Sequence, residues 1–423
     1  MLLHANPHEP TTSLDISSRD FWAKSPVERD DTFRRLRLEA PVSWHRPIET
    51  SLPPEVHRQA GFWAVTTAED ITYVSQHHTQ FSSASGTALH PYESNSVNGA
   101  IILDMDPPVH TAYRKVISSA FTPKAVRRLS AQIETRAEQI IDRVVGAGSI
   151  DFVEEVSAKL PMMTVADLVG IPEHQVEAFA DAGNRIVLVQ EQLAQSPDAE
   201  FAGLLAEAAG ALAEIAFPLA EQRRKDPRDD IMSAIVHADV DGVRFDDDAI
   251  LSTMILLSIA GNDTTKQTTT HTMIQLARDA EQKAWLLEDL EGRMTGAIEE
   301  FVRHASPVIS FTRTATEDLE LRGQRILAGD KVAMFYASGN RDEQVFEDPH
   351  RFDLSRGRSP HVGFGGGGVH YCLGNSVAKA QLRALFTQIL TKLPDVTVGE
   401  PHRLTSDFIN GYRHLPVVIG DGR

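Results

Sequence analysis

His361-Val362-Gly363-Phe364-Gly365-Gly366-Gly367-Gly368-Val369-His370-Tyr371-Cys372-Leu373-Gly374 puts the only cysteine of the chain at the end of a glycine-rich loop. Beyond Gly374 an amphipathic pattern predicts a helix from Ser376 to Leu393. A thiolate near a helix N-terminus accepts backbone N–H bonds and feels the positive end of the helix dipole, so its charged form is favoured. Four consecutive glycines, Gly365 to Gly368, permit a flat macrocycle to lie against the backbone. Two other readings of Cys372 stand beside this one: a buried inert thiol, common for a lone free cysteine, and a metal chelated by His370 and Cys372, for which no further ligands are evident. Gly363-x-Gly365-x-x-Gly368 formally meets the dinucleotide fingerprint. That fingerprint needs a strand before it and a βαβ setting, whereas Ser359-Pro360 precedes and no alternating pattern surrounds it.

Two helices upstream carry polar residues in unexpected company. Asp246-Asp247-Asp248 suits a helix N-terminus, and Ile250, Leu251, Met254, Ile255, Leu256, Leu257 and Ile259 place apolar residues on nearly every face, which predicts a rod buried all round. In its middle stands Ala260-Gly261-Asn262-Asp263-Thr264-Thr265. Glycine inside a helix costs about 1 kcal/mol, and a buried aspartate costs more unless paired. Such a local violation points to something approaching the backbone there. The second helix, Gly292 to Ala305, carries Glu300 and Arg303 three apart on one face; by themselves they read as a solvated surface ion pair.

Elsewhere Pro26 to Leu38 reads as a helix, Gly61 to Thr66 as a strand and Ala68 onward as a short helix, while residues 82–100, rich in Ser, Asn and Gly, read as a long loop. Helical patterns dominate from Pro123 to Arg224, and strand candidates return at Asp318–Leu321, Gln324–Leu327 and Lys331–Tyr336. The expectation is a mainly α protein with a small antiparallel β portion, residues 1–423 forming one domain. The formal charge of −18 disfavours nucleic acid and anionic lipid as partners. A single cysteine excludes a disulfide framework and cysteine-cluster metal sites. No basic or apolar leader opens the chain, and its densest apolar stretch, Leu251 to Ala260, falls short of the ~20 residues that span a bilayer. The expected setting is cytoplasmic, without a membrane anchor.

Taken together, these residues resemble the cytochrome P450 family over nearly the whole chain. The family's loop ends in Gly-x-His-x-Cys-x-Gly, matched by Gly368 to Gly374, and the resemblance makes Cys372 the axial thiolate of a haem b (iron protoporphyrin IX). The usual phenylalanine stands seven residues before the cysteine; here that position is Gly365 and Phe364 lies eight before, an expansion that looks like the loop of bacterial members acting on sterols and methyl-branched lipids. The resemblance sets Ala260, Phe364, Gly368 and Gly374 against the cofactor, and gives its propionates to His110 and Arg114 of Asp106–Arg114, to Arg313 and to His361. Asp263 and Thr264 become the acid–alcohol pair of the oxygen groove, with Thr264 donating a hydrogen bond and Asp263 relaying protons. Glu300 and Arg303 become a buried pair beneath the haem, joined by Arg351. The implied fold is a triangular prism of helices with a small β portion.

The implied activity is O2-dependent monooxygenation of a hydrophobic small molecule such as a terpenoid, steroid, fatty acid or aromatic hydrocarbon. No flavin or nicotinamide motif is present, so electrons are expected from a separate ferredoxin and its NAD(P)H-dependent reductase. Lys379, Arg383 and Lys392, with Lys124, Arg127 and Arg128, are candidate docking groups for an acidic ferredoxin, against their reading as solvated helix faces. Two alternatives belong to other classes. An H2O2-dependent peroxygenase typically lacks the acid–alcohol pair, and a non-catalytic haem or lipid-binding sensor would need neither Asp263 nor Thr264. The substrate pocket is expected to be lined by residues 82–102, Ile186 to Leu193, Leu257, Ala260, Val308 to Phe311 and Phe408-Ile409-Asn410.

Overall fold

A computed structural model describes residues 8–49, 60–89, 101–193, 200–240, 242 and 244–420, with side chains throughout except at 123–124, 187–193 and 200–202. The expected loop at 82–100 therefore falls partly outside the described residues.

Helix α1 (Pro26–Glu39) opens on a capping box: Glu28 Oε2 accepts from the Ser25 amide at 3.0 Å, the Ser25 hydroxyl accepts from the Glu28 amide, and Pro26 takes the first helical position. Strands β1 (Val42–His45) and β2 (Phe62–Val65) follow, then α2 (Ala68–Gln76) and β3 (Phe81–Ser82). Two late strands, β4 (Ser310–Ala315) and β5 (Lys331–Phe335), complete a sheet of order β1-β2-β5-β4-β3. Its pairs are antiparallel except β2 with β5, where Trp63 faces Val332 in parallel register. The expectation of antiparallel pairing thus fails at one ladder. Leu319–Leu321 and Gln324–Ile326 form a hairpin whose turn residues, Arg322 and Gly323, both have positive φ, which suits a two-residue turn.

The helical bulk comprises α3 (Val109–Ser118), α4 (Pro123–Val144), α5 (Lys159–Val169), α6 (Val176–Leu193), α7 (Glu200–Lys225), α8 (Asp247–Ala260), α9 (Asp263–Arg278), α10 (Leu290–Ala305) and α11 (Asn375–Lys392). One apolar core joins α4, α9, α10 and α11 through Ile141, Ile274, Phe301 and Phe386; a second joins α5 to α8 through Val169, Phe179, Leu212 and Ile250. Burying each such side chain contributes about 1.5–3 kcal/mol. Helix α7 is long and apolar enough to cross a membrane, a property that Leu251–Ala260 does not share. Its buried face, including Leu212, Ala216 and Leu219, packs into the second core.

The expected continuous rod is in fact two helices. α8 starts where predicted, with Asp246 Oδ1 accepting from the Ala249 amide at 2.8 Å. It stops at Ala260, and Gly261-Asn262 form a turn before α9 begins at Asp263. A Cβ on Gly261 would run into Val165 Cγ2 of α5. What approaches the backbone at this glycine is therefore a neighbouring helix.

Candidate active site

The cysteine loop is held by its own backbone. The Cys372 amide donates to Phe364 O at 3.0 Å, the Tyr371 amide to Gly368 O at 3.2 Å and the Gly365 amide to Val362 O at 2.9 Å. Asn375 Nδ2 reaches back to Cys372 O at 2.7 Å, and Arg114 Nη2 donates to Tyr371 O. The glycines serve this fold more than an open surface. A Cβ on Gly366 would lie 2.6 Å from Ser75 Oγ and 2.8 Å from Ile71 O, and one on Gly368, at φ +74°, would run into Ser75 O. Gly366 and Gly368 thus press against the last turns of α2, which corrects the reading that all four glycines clear room for a macrocycle. Gly365, at φ +96°, has nothing within 4 Å, and a Cβ on Gly374 would meet only Phe121 Cε1 at 3.9 Å.

Burial pushes the Cys372 thiol up; the amides of Gly374 and Asn375 and the charges of Arg114 and Lys379 pull it down without overcoming the burial. The helix N-terminus acts in the expected direction, yet it does not by itself favour the thiolate. A coordinated metal deprotonates such a thiol outright.

Three predicted residues and one unpredicted residue meet beside this loop. His110 is 1% exposed and neither ring nitrogen has a partner. Its ring centroid lies 4.2 Å from that of His370. Burial first, then the Arg114 charge, lowers His110 to about 4. Burial first, then Arg313, lowers His370 to about 3. Arg313 is buried on β4, and its Nη1 donates to Thr312 O at 2.7 Å; burial holds it below the usual guanidinium range, opposed by Tyr336, Asp106 and Asp104. Buried donors and cations without a paired carboxylate are costly, and a ligand bearing carboxylates removes that cost. The two propionates of a haem fit this cluster.

His370 is read from the sequence as a candidate metal ligand beside Cys372 and as the histidine of the Gly-x-His-x-Cys-x-Gly loop; its place in this cluster is what sequence reasoning missed. His361 stands elsewhere. Its Nε2 is 3.0 Å from Glu299 Oε2, and its Nδ1 accepts from the Gly363 amide at 3.1 Å, so both nitrogens are engaged. Lys379 Nζ binds the other Glu299 oxygen at 2.7 Å, and the carboxylate is lowered to about 2 by His361 first and then Lys379. Phe364 sits over this trio, 5.7 Å from the His361 ring and 5.1 Å from Lys379 Nζ.

The α8–α9 turn carries Asp263 and Thr264. Asp263 is 1% exposed and in ionic contact with Lys266, while neither carboxylate oxygen accepts a hydrogen bond of good geometry. The Thr264 hydroxyl donates to Ala260 O at 2.9 Å. Ala260 is exposed, at the end of a helix buried from Ala249 to Ile255. Phe311 and Phe408, of the expected pocket lining, are half-buried with their rings 5.5 Å apart. Ile409 is buried instead, and Asn410 is spent on structure, donating to Ala305 O at 2.7 Å and accepting from Arg403 at 3.0 Å. The side chains expected from 187–193 lie outside the described residues.

The Glu300–Arg303 pair is wholly buried, overturning its reading as a surface pair. Arg303 Nε and Nη2 meet Glu300 at 2.6 and 2.7 Å, and Nη1 donates to Asn340 O and Pro349 O at 2.7 and 2.8 Å. Arg351 supplies its carbonyl oxygen, at 3.1 Å from Arg303 Nη2, and its side chain is exposed. The second cation near the carboxylate is Arg356, whose Nε lies 3.5 Å from Glu300 Oε1.

An unpartnered buried histidine among cations beside a loop cysteine, with an acid and an alcohol at a break between two buried helices, is a lining that suits an oxygen-activating haem protein. Comparison with known proteins places it more closely. The cytochrome P450 family model matches residues 58–394. The chain is 39% identical over 417 residues to a methyl-branched lipid omega-hydroxylase of Mycobacterium tuberculosis, covering 97% of this chain and 96% of the relative. It is 36% identical over 400 residues to a steroid C26-monooxygenase of Mycolicibacterium smegmatis, covering 93% and 90%. A solved Mycobacterium marinum cytochrome P450 in complex with pseudoionone superimposes with a TM-score of 0.91 at 44% identity, over 97% of this chain and 99% of that one. The chain belongs to the cytochrome P450 family, and it is a haem-binding monooxygenase.

Proposed function

We propose that this monooxygenase hydroxylates a lipophilic molecule of the steroid, terpenoid or branched-lipid class; Cys372 would hold the haem iron, and His110, Arg114, Arg313 and His370 would hold its propionates. Thiolate-ligated haem supplies electron-rich iron that favours O–O cleavage. Asp263 and Thr264 supply what that chemistry needs from the protein, a proton source and a hydroxyl donor at the oxygen side. The partly exposed aromatic pair Phe311 and Phe408 carries the substrate reading. The relatives are named for methyl-branched lipids and steroids, and a similar structure holds pseudoionone, which supports the same class. The acid–alcohol pair favours O2 and an external reductase over peroxide.

A spectral titration with a methyl-branched fatty acid, a steroid with an intact side chain and pseudoionone tests the substrate class. A high-spin shift with at least one, followed by a hydroxylated product under a surrogate ferredoxin and reductase, is the expected result; no shift with any of them rejects the class. Thr264→Ala is expected to keep substrate binding and divert electrons to peroxide, raising the peroxide share about tenfold, as the loss of one hydrogen-bond donor implies. Unchanged coupling removes Thr264 from the relay.

Electrons come, on this reading, from a separate ferredoxin and its NAD(P)H-dependent reductase, in the cytoplasm. The docking surface narrows to fewer groups than the sequence suggests. Lys379 is paired with Glu299, Lys392 with Glu138 and Asp142, Arg383 with Thr295 and Arg128 with Asp229. The side chain of Lys124 lies outside the described residues, and Arg127 is exposed on α4. Arg127→Glu is expected to slow reduction by an acidic ferredoxin roughly threefold at low ionic strength, converging with the parent at high salt. An unchanged rate and salt dependence rejects docking there.

A further inference from the structure

The side chain of Asn262 is not spent on its own helix. An asparagine at a helix N-terminus ordinarily accepts the backbone N–H of the second or third residue. At the start of α9, Asn262 makes no such bond; its backbone sits at φ −97°, ψ −65°. Its Nδ2 instead crosses to α6 and donates to Asn184 Oδ1 at 3.0 Å. Asn262 is 1% exposed, and its Oδ1, like both carboxylate oxygens of the neighbouring Asp263, is buried without a hydrogen-bond partner.

The backbone brings α6 to this point. A Cβ on Gly183 would lie 2.9 Å from Ser258 Cβ on α8, so the two helices touch one residue before Asn184 and about one turn before Asn262. From the other side, Val165 of α5 closes on Gly261. The turn at 261–262 is therefore gripped by packing at one residue and by a cross-helix hydrogen bond at the next. The acid and the alcohol follow immediately, and the Thr264 hydroxyl bridges the break to Ala260 O.

We propose that Asn184 is a positioning residue for the acid–alcohol pair: through Asn262 it holds the two-residue turn between α8 and α9, and so sets the directions of Asp263 and Thr264. Without that acceptor, the Asn262 amide loses its tie to α6 and the turn relaxes. The inference rests on the relay assigned above to Asp263 and Thr264.

The test compares the haem-loaded parent with Asn184→Leu, which removes the acceptor, and Asn184→Asp, which keeps an oxygen for Asn262 Nδ2. Two readouts are taken: the peroxide share of electrons consumed, and amide hydrogen exchange across residues 261–266 without substrate. Asn184→Leu is expected to raise the peroxide share and the exchange rate about five- to tenfold, as losing one hydrogen bond implies, with substrate Kd within twofold. Asn184→Asp is expected to restore both. Parental coupling and exchange in Asn184→Leu overturn the proposal, as does failure of Asn184→Asp to restore either. If Asn184→Leu does not fold, Asn184→Ser and Asn262→Ala are combined in a double-mutant cycle, where additive effects on exchange overturn it and non-additive effects support it. Thr264→Ala separates the two readings: if it uncouples while Asn184→Leu does not, only the positioning role fails, and if it does not uncouple, the relay fails.

Discussion

Arg303→Ala is expected to lose about 3–5 kcal/mol of stability, because it removes the hydrogen-bonded partner of the Glu300 carboxylate, 0% exposed, and leaves it only Arg356 at 3.5 Å as a countercharge. Set against the ~5–15 kcal/mol that holds a typical domain together, such a loss yields a protein that melts far below the parent or fails to accumulate with haem. The pair also joins α10 to the 340–356 segment, since Arg303 donates to the carbonyls of Asn340, Pro349 and Arg351 and the Asp353 amide donates to Glu300 Oε1 at 2.9 Å. Arg303→Lys is expected to fail nearly as badly: one ammonium cannot reproduce a guanidinium fork engaged by a carboxylate and three carbonyl oxygens. Urea unfolding monitored by circular dichroism checks both. A change below about 1 kcal/mol would return the pair to the solvated class.

Cys372→Ser is expected to leave the fold intact and abolish oxygenation, with a loss of turnover on the order of a thousandfold or more, equivalent to at least about 4 kcal/mol of barrier. The loop survives because its restraints are backbone bonds, from the Cys372 amide to Phe364 O and from Asn375 Nδ2 to Cys372 O, and serine keeps both. Far-ultraviolet circular dichroism and product formation with a surrogate reductase measure the two halves of the expectation. Retained turnover would mean that the sulfur is not where the chemistry is anchored.

Helix α8 was legible almost to the residue because its signals are local: three aspartates at its start and apolar residues all round. The break at Gly261 was legible as an anomaly, while its cause was not, since Val165 lies far away in sequence and approaches only through packing. The same separation hid the burial of Glu300 and Arg303. Spacing of three residues fits a surface pair equally well, and the deciding partners, Asn340, Pro349 and Asp353, come from a distant irregular segment. The glycines of the cysteine loop were visible, but their real neighbours, Ile71 and Ser75 on α2, are nearly three hundred residues earlier. In the propionate cluster, pattern matching favoured His361, whereas Glu299 claims that ring and His370 takes the place beside His110. Lys266, three residues after Asp263, was readable from helical spacing and was overlooked.

Ligation of iron by the Cys372 sulfur, as the anion, is the claim on which the oxygenase reading rests. The reduced, carbon-monoxide-treated holoprotein tests it in one spectrum. A strongly red-shifted Soret band, absent from Cys372→Ser, is the expected result. A band at the position typical of histidine-ligated haem, or one that survives the substitution, would contradict it.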